Sequence, residues 1–335
     1  MDWSKGYGST YYIGIVDPLT WKDSDRIEIT GGSISRTNSD LRQSADIDCV
    51  NYDTTKERWI RIWMDAKQSS DSVHIPLFTG IASSPTKNIN GNIIETPVQC
   101  YSVLKPAEDV LLTRGWYAPV DISGGDLIKN LLRVTGAPIN VEPDSPKIKT
   151  AIIAEEGETN LSMVERILNV IKWQLAIAGD GTITVKPKPS NSKSTFSALS
   201  NDILEPSITI DYDWFSCPNV LIVYDSETSA IARDDDPNSP LSTVSRGREV
   251  WVEESVGALA ENENLSAYTL RRLKELQKVA TKVSYTRRFE PDLDVTDIIT
   301  LDYPHQTLKG DYRIISQSIQ LGAGTKISEE VEKVI

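Results

Sequence analysis

Between residues 8 and 105, apolar and polar side chains alternate with a period of two, which puts one row on a core and the other in solvent. The pattern is clearest in Tyr12-Ile13-Gly14-Ile15-Val16, Arg26-Ile27-Glu28-Ile29-Thr30, Ala45-Asp46-Ile47-Asp48-Cys49, Trp59-Ile60-Arg61-Ile62-Trp63 and Leu77-Phe78-Thr79-Gly80-Ile81. Asn90-Gly91, ahead of Asn92-Ile93-Ile94-Glu95-Thr96, is a hairpin signal, because both central positions of a type I′ turn take positive φ. Short strands at this spacing predict a small antiparallel barrel or sandwich over residues 1–108.

Beyond residue 108 the period lengthens. Leu127, Ile128, Leu131 and Leu132 share a helical stripe after Ser123-Gly124-Gly125-Asp126 and before the stop Gly136-Ala137-Pro138. A second helix is expected to begin at Asn160, read as its N-cap, with Leu161, Val164, Ile167, Leu168 and Ile171 on its buried face. Trp173–Ala178, Gly179-Asp180-Gly181 and Thr182–Val185 then predict a hairpin closed by an Asp-Gly turn. Residues 109–190 therefore read as an α/β insertion, with Pro187, Pro189 and the polar run Ser190–Ser194 as a linker.

Strand patterning resumes at Ile208-Thr209-Ile210 and continues in Val220–Tyr224, Glu249–Glu254, Lys282–Arg288, Ile298–Leu301 and Tyr312–Ile319. Helical spacing of Leu265, Tyr268, Leu276 and Val279 predicts one helix over Asn264–Ala280. Val220-Leu221-Ile222-Val223-Tyr224 is apolar on both faces, so each face needs a cover: a barrel core, a helix or another subunit. The fold class that results is α+β, mainly β. Two small antiparallel β-barrel-like domains, 1–108 and 191–335, flank the α/β insertion 109–190, and the second carries an inserted helix within about 262–280.

Charge and composition narrow the function by exclusion. Forty-eight Asp and Glu against 35 Lys and Arg leave −13 on 335 residues, which disfavours binding to nucleic acid by phosphate neutralisation. No run approaches the ~18 apolar residues of a membrane helix, and Met1-Asp2-Trp3-Ser4-Lys5-Gly6 lacks a secretory signal, so cytoplasmic synthesis without membrane insertion is expected. Cys49, Cys100 and Cys217 form no CxxC pair and are expected to be reduced and partly buried. There is neither a P-loop nor a dinucleotide-binding glycine pattern, so no cofactor is implied.

Candidate chemistry is sparse. His74 and His305 are the only histidines, and neither has ligand or triad spacing; both read as structural or surface residues. Asp234-Asp235-Asp236-Pro237-Asn238 lacks the spacing that wraps a calcium ion and reads as a solvated loop. Glu155, Glu156 and Glu158, or Asp292, Asp294 and Asp297, would be the carboxylates of a hydrolase if they faced a cleft; as solvated faces and helix starts they need no ligand. Neither a catalytic nor a metal-binding residue is therefore assigned.

One strand stands out. In Trp59-Ile60-Arg61-Ile62-Trp63-Met64, the isoleucines and Met64 form a core face, while Trp59, Arg61 and Trp63 share the opposite one. Tryptophan and arginine are enriched at interface hot spots. This face is the candidate subunit-interface site, packing on a neighbouring subunit or domain; a second internal layer within the same barrel is the alternative of equal weight.

The element order, with the helix before Pro291-Asp292-Leu293-Asp294-Val295-Thr296-Asp297-Ile298-Ile299-Thr300-Leu301 and Gly310-Asp311-Tyr312-Arg313-Ile314-Ile315-Ser316, resembles the second barrel of the baseplate or tail hub proteins of tailed bacteriophages, tailocins and related contractile injection machines. The stretch from Asn160 to Val185 looks like the hub's central α/β domain. Gly31-Gly32-Ser33-Ile34-Ser35 with Ala45-Asp46-Ile47-Asp48, and Leu77-Phe78-Thr79-Gly80-Ile81 with Pro97-Val98-Gln99-Cys100-Tyr101, match its first barrel.

The resemblance implies a non-enzymatic structural protein of the virion tail tip or baseplate. It would be a homotrimer whose similar barrels form a pseudo-sixfold ring, adapting a hexameric tail tube or distal tail protein to a trimeric spike or fibre protein. DNA would meet it only in transit through the channel, where acidic residues would repel the phosphate backbone. No room is expected for an appended lysozyme or peptidase domain. The rival functions are a carbohydrate-binding receptor adhesin, using Trp3, Tyr7, Tyr11, Tyr12, Trp21 and Trp116 to stack on sugars, and a cell-wall or capsule hydrolase.

Overall fold

The structure, a computed structural model, describes residues 1–334 apart from 51, 54, 84–85, 87, 91–92, 150, 198–202, 204–207, 213, 226–227, 257–263, 278–280 and 305–307. His305 and the turn positions Gly91 and Asn92 lie outside the described residues.

The N-terminal strands are β1 (Gly8–Val16), β2 (Asp23–Thr37), β3 (Gln43–Val50), β4 (Arg58–Gln68), β5 (Asp71–Ala82), β6 (Asn88–Asn90) and β7 (Ile93–Ser102). Six of them pair in the order β1-β4-β5-β7-β3-β2, and β2 returns to β1, so the sheet closes into a barrel. Period-two alternation makes the closure possible. Ile60, Ile62 and Met64 of β4 are fully buried, and β3 sends Ala45, Ile47 and Cys49 inward while Asp46 and Asp48 face out. Each such Ile contributes about 1.5–3 kcal/mol by leaving water. β6 pairs back on β7 at Asn90 and Ile93, as a tight hairpin requires.

The next stretch comprises α1 (Lys105–Asp109), β8 (Tyr117–Ala118), α2 (Gly124–Leu132), β9 (Ile139–Val141), β10 (Ile152–Ile153), α3 (Asn160–Ile171), β11 (Trp173–Ile177) and β12 (Ile183–Pro187). Ser123 caps α2 by accepting from the Asp126 N–H, and Gly136 ends the following turn at φ 69°, where a side chain would strain the backbone. In α3 the cap is Thr159 rather than the expected Asn160. Thr159 and Ser162 satisfy each other's backbone N–H groups, while Asn160 is buried one position in and donates to the Leu131 carbonyl at 3.0 Å. A cap needs an exposed, extended backbone, and tertiary packing claimed Asn160 first. Leu127, Ile128, Leu131 and Leu132 of α2 meet Leu161, Val164, Ile167 and Leu168 of α3 over the inner row of β11 and β12 in one core. The hairpin β11–β12 is antiparallel, with β9 added parallel to β12.

The polar run read as a linker is in part a strand. β13 (Ser192–Ser197) buries Phe196 and hydrogen-bonds in parallel to a later strand, so backbone pairing outweighs its weak composition.

The chain forms two compact units, residues 1–208 with 284–335, and residues 209–283. The smaller unit holds β14 (Thr209–Tyr212), β15 (Val220–Tyr224), β16 (Ser229–Arg233), α4 (Thr243–Arg246), β17 (Trp251–Ser255) and α5 (Leu265–Leu276), the last capped by Asn264. Its three-stranded sheet runs β16-β15-β17. Leu221 and Val223 pack with Leu273 of α5, which supplies the helix cover expected for one face of β15. On the other face Tyr224, Ile231 and Trp251 are exposed. Asp234, Asp235 and Asp236 are held by turn bonds and by Arg233, Ser239 and Thr243.

The chain returns to the larger unit at Ser284, within β18 (Thr281–Arg288), and continues through β19 (Ile298–Tyr303), β20 (Leu308–Leu321) and β21 (Lys326–Lys333). β13 pairs β19, and the sheet continues β19-β20-β21-β18. β21 went unread in the sequence because only two apolar residues, Ile327 and Val331, stand in its charged run. The distal half of β2 pairs β20 from Gly32–Leu321 to Thr37–Ser316, so one strand serves both the barrel and the C-terminal sheet. Phe289, Ile319, Leu321 and Ile327 join the barrel core. The fold is thus α+β, mainly β, and barrel-like.

A fully buried ion pair, Arg287–Glu329 at 2.6 Å, sits among the C-terminal strands, with Tyr285 and Gln317 also donating to the Glu329 carboxylate. Removing one charge strands the other, so Glu329→Ala is expected to lower the unfolding free energy by about 3–5 kcal/mol in urea titration. Arg287→Met with Glu329→Leu should recover most of that loss. Burial pushes the Cys49 thiol up to about 12 and Cys100 higher still. At pH 8 both should therefore resist a disulfide reagent in the native protein and react in denaturant.

Candidate functional site: the tryptophan-arginine face

β4 presents Trp59, Arg61 and Trp63 on the wall opposite its buried Ile60, Ile62 and Met64. The three residues have different surroundings. Arg61 is 6 % exposed although it points away from the barrel core. Its Nε donates to Thr79 Oγ1 at 3.0 Å, one terminal nitrogen donates to Asp23 at 2.5 Å, and the other donates to the Asp180 carbonyl at 2.9 Å. The cover is the turn of the β11–β12 hairpin.

That turn fits only because of its glycines. A Cβ on Gly179 would stand 1.9 Å from the Pro76 carbonyl oxygen, and Gly181, at φ 85°, would meet Trp21 and Thr79. Thr79 Oγ1 donates to the Gly179 carbonyl at 2.7 Å, and Trp21 Nε1 donates to the Asp180 carbonyl at 3.0 Å. Trp21 and Trp59 meet edge to face, with centroids 5.4 Å apart, and both pack against the helix-hairpin core. Trp59 and Arg61 thus form the joint between the barrel wall and the α/β part of the same unit.

Trp63 lies at the other end of the face. Its Nε1 donates to Asp23, and its ring stacks on His74 at 4.0 Å with 9° between planes. His74 in turn stacks on Tyr12 at 6.0 Å, Arg26 lies 3.7 Å over the Tyr12 ring, and Asp65 bridges His74 Nδ1 and Arg26. This ladder is partly exposed; the His74 side chain is 49 % accessible. His74 therefore has a surface stacking role in place of ligand geometry.

Of the other sequence candidates, Asp292, Asp294 and Asp297 line one cleft together with Glu142 and Lys193, whereas Glu155, Glu156 and Glu158 do not. Glu155 and Glu158 both lie near Arg166, with Glu158 at 2.8 Å. Asp294 faces Arg36 at 3.4 Å, and Asp297 pairs with Lys193 at 2.8 Å and accepts from the Asp294 N–H. Among the described residues no three His, Cys, Asp or Glu side chains are placed to share an ion. Trp3 packs edge-on to Tyr7 and Phe289, Tyr11 is buried, and Trp116 rests on the helix core, so these ring faces are engaged. The participants that sequence reading missed are Asp23, Thr79 and the Gly179 and Asp180 carbonyls. The Asp-Gly turn was legible, but nothing local linked it to Arg61.

No protein-family model and no curated protein sequence matches the chain. Solved structures do share its fold. A tail protein from Neisseria meningitidis MC58 superposes at TM-score 0.71 with 13% identity, covering 97% of each chain. The 43 kDa tail protein of prophage MuSo2 from Shewanella oneidensis superposes at 0.69 with 12% identity, covering 97% of this chain and 98% of that one. A prophage tail protein from Listeria monocytogenes EGD-e superposes at 0.55 with 12% identity, covering 97% and 94%. The fold of these tail proteins is the fold of this chain.

Arg61→Ala removes three donated bonds and leaves Asp23 without its cation, with only the Trp63 N–H still donating to it, so a loss of about 3 kcal/mol in urea-measured stability is expected. Gly179→Ala should cost a similar amount. If both act through one joint, the double variant will lose clearly less than the sum.

Proposed function

We propose that the chain is a structural hub of a phage tail or tail-like particle. It forms a trimeric pseudo-sixfold ring that adapts a hexameric tail tube to a trimeric tip. The observation that carries the reading is the end-to-end likeness of fold to phage tail proteins, over 97% of this chain. A closed barrel sharing strand β2 with a second barrel-like sheet is the paired architecture such a ring needs. In this reading residues 1–108, 109–190 and 191–335 are the three parts, and the protein resides at the tail tip or baseplate and has no catalytic role.

Its partners would be two further copies of itself, a tube or distal tail protein, and a spike or fibre protein, with DNA passing through the channel. Of the candidate interface face, Trp63 is the residue left for a neighbouring subunit, since Trp59 and Arg61 are covered within the chain. Light scattering of the purified protein across a concentration series should give a mass near three times 37.2 kDa, with ring-shaped particles in negative stain. A monomer at every concentration would count against the hub.

A further inference from the structure

A cationic strip on this acidic chain is only partly matched within the fold. The hairpin β11–β12 buries Trp173, Leu175, Ile177, Ile183 and Val185 against the helices, so alternation turns Gln174 and its cross-strand partner Lys186 to the opposite face. Past the last pair, Trp173–Pro187, the open end of the hairpin carries Lys172 and Lys188, both exposed. Like charges set at neighbouring ends of two strands repel each other, which a fold tolerates where something outside it compensates.

Two arginines extend the strip. Arg42 reaches it from the β2–β3 turn, donating to the Leu175 carbonyl at 3.5 Å and pairing with Glu165 at 2.6 Å. Arg313 approaches from β20, where Glu332 is its cross-strand neighbour without an ion pair among the described residues. Partial desolvation of the Lys188 amine, followed by the charges of Arg313, Lys172 and Arg42, holds its pKa below the ordinary lysine value against the pull of Glu165. Glu165 is already engaged by Arg42.

Arg42 Nε, Arg313 Nε and the amide nitrogen of Gln174 are buried donors without an acceptor, and Gln174 is 4 % exposed. Among the described residues the side-chain amines of Lys172 and Lys188 have no ion pair, although the Lys172 backbone N–H donates to the Leu168 carbonyl at the end of α3. Apart from Glu165, which Arg42 engages, the strip's charges are positive, and its exposed ammonium groups Lys172 and Lys188 are matched by carboxylate oxygens.

We propose that this strip receives the carboxylates of a second copy of the same chain, forming one half of a head-to-tail subunit contact. The choice of partner follows from charge. With 48 Asp and Glu against 35 Lys and Arg, another copy carries a net charge of −13, so a local basic strip biases where it docks. A nucleic acid would meet the same strip surrounded by repelling acids. A head-to-tail contact joins two different patches, and it closes into a ring when the rotation permits. The inference rests on the trimeric hub reading.

The test compares wild type with K172E/K188E at full length, by light scattering at low and at roughly 0.5 M salt, where the Debye length falls below ~5 Å. Thermal melts check that the exposed substitutions leave the fold intact, and polarisation of a labelled oligothymidylate tests the nucleic-acid alternative. The expected result is a salt-sensitive wild-type trimer whose assembly midpoint moves to about tenfold higher concentration in the variant, with no oligonucleotide bound. A wild-type trimer matched by the variant overturns the strip and spares the hub. Oligonucleotide binding lost in the variant, with assembly unchanged, overturns it in favour of a phosphate site. A wild-type monomer overturns both readings.

Discussion

The Arg61 guanidinium is the joint on which the larger unit turns. It stands on the outer wall of the barrel, where a charged side chain would ordinarily reach water, yet it is buried and gives hydrogen bonds to a hydroxyl, a carboxylate and a carbonyl. Burying such a charge is costly unless each donor finds an acceptor. Here the acceptors come from the barrel, through Thr79 and Asp23, and from the helix-hairpin part, through Asp180. Each side thus completes the coordination that the other lacks, and the glycine turn lets the backbones approach closely enough for it.

Around that joint the barrel itself is a continuity problem. A six-stranded ring closed by β1–β2 has no free edge, but β2 is long enough to leave the ring and pair with β20. The same strand therefore fixes the register of the C-terminal sheet relative to the barrel. Behind it, the buried Arg287–Glu329 pair with Tyr285 and Gln317 sets a second polar constraint in an otherwise apolar region. Polar networks of this type add little net stability when complete, but they discriminate against misaligned strands, because any slip leaves a charge unpaired. The unit is well suited to act as a rigid building block.

Electrostatics separates the inside of the chain from its outside. Within the larger unit Arg61 and Arg287 are paired with Asp23 and Glu329, whereas the exposed Lys172 and Lys188 at the open end of the hairpin have no ion pair among the described residues. In an acidic protein the arrangement localises attraction to one place. The tail proteins with which the chain shares its fold differ from it at nearly nine positions in ten, so the likeness is one of architecture.

The sequence by itself determined the strands of the barrel, the two helical stripes of the middle, the Asp-Gly hairpin and the split of β4 into a core face and a tryptophan-arginine face. These follow from periodicity and turn chemistry, which depend on near neighbours. Misreadings arose where distant contacts overrode local preference: Asn160 was drawn from the cap into the core, Ser192–Ser197 was recruited as a strand, and β21 was held by pairing despite its charges. Which side of the wall would cover Arg61, and with what, was decided only by the tertiary structure. The acceptors Asp23, Thr79 and Asp180 are separated along the chain by tens to more than a hundred residues, and no local pattern encodes a partner that only folding brings within 3 Å.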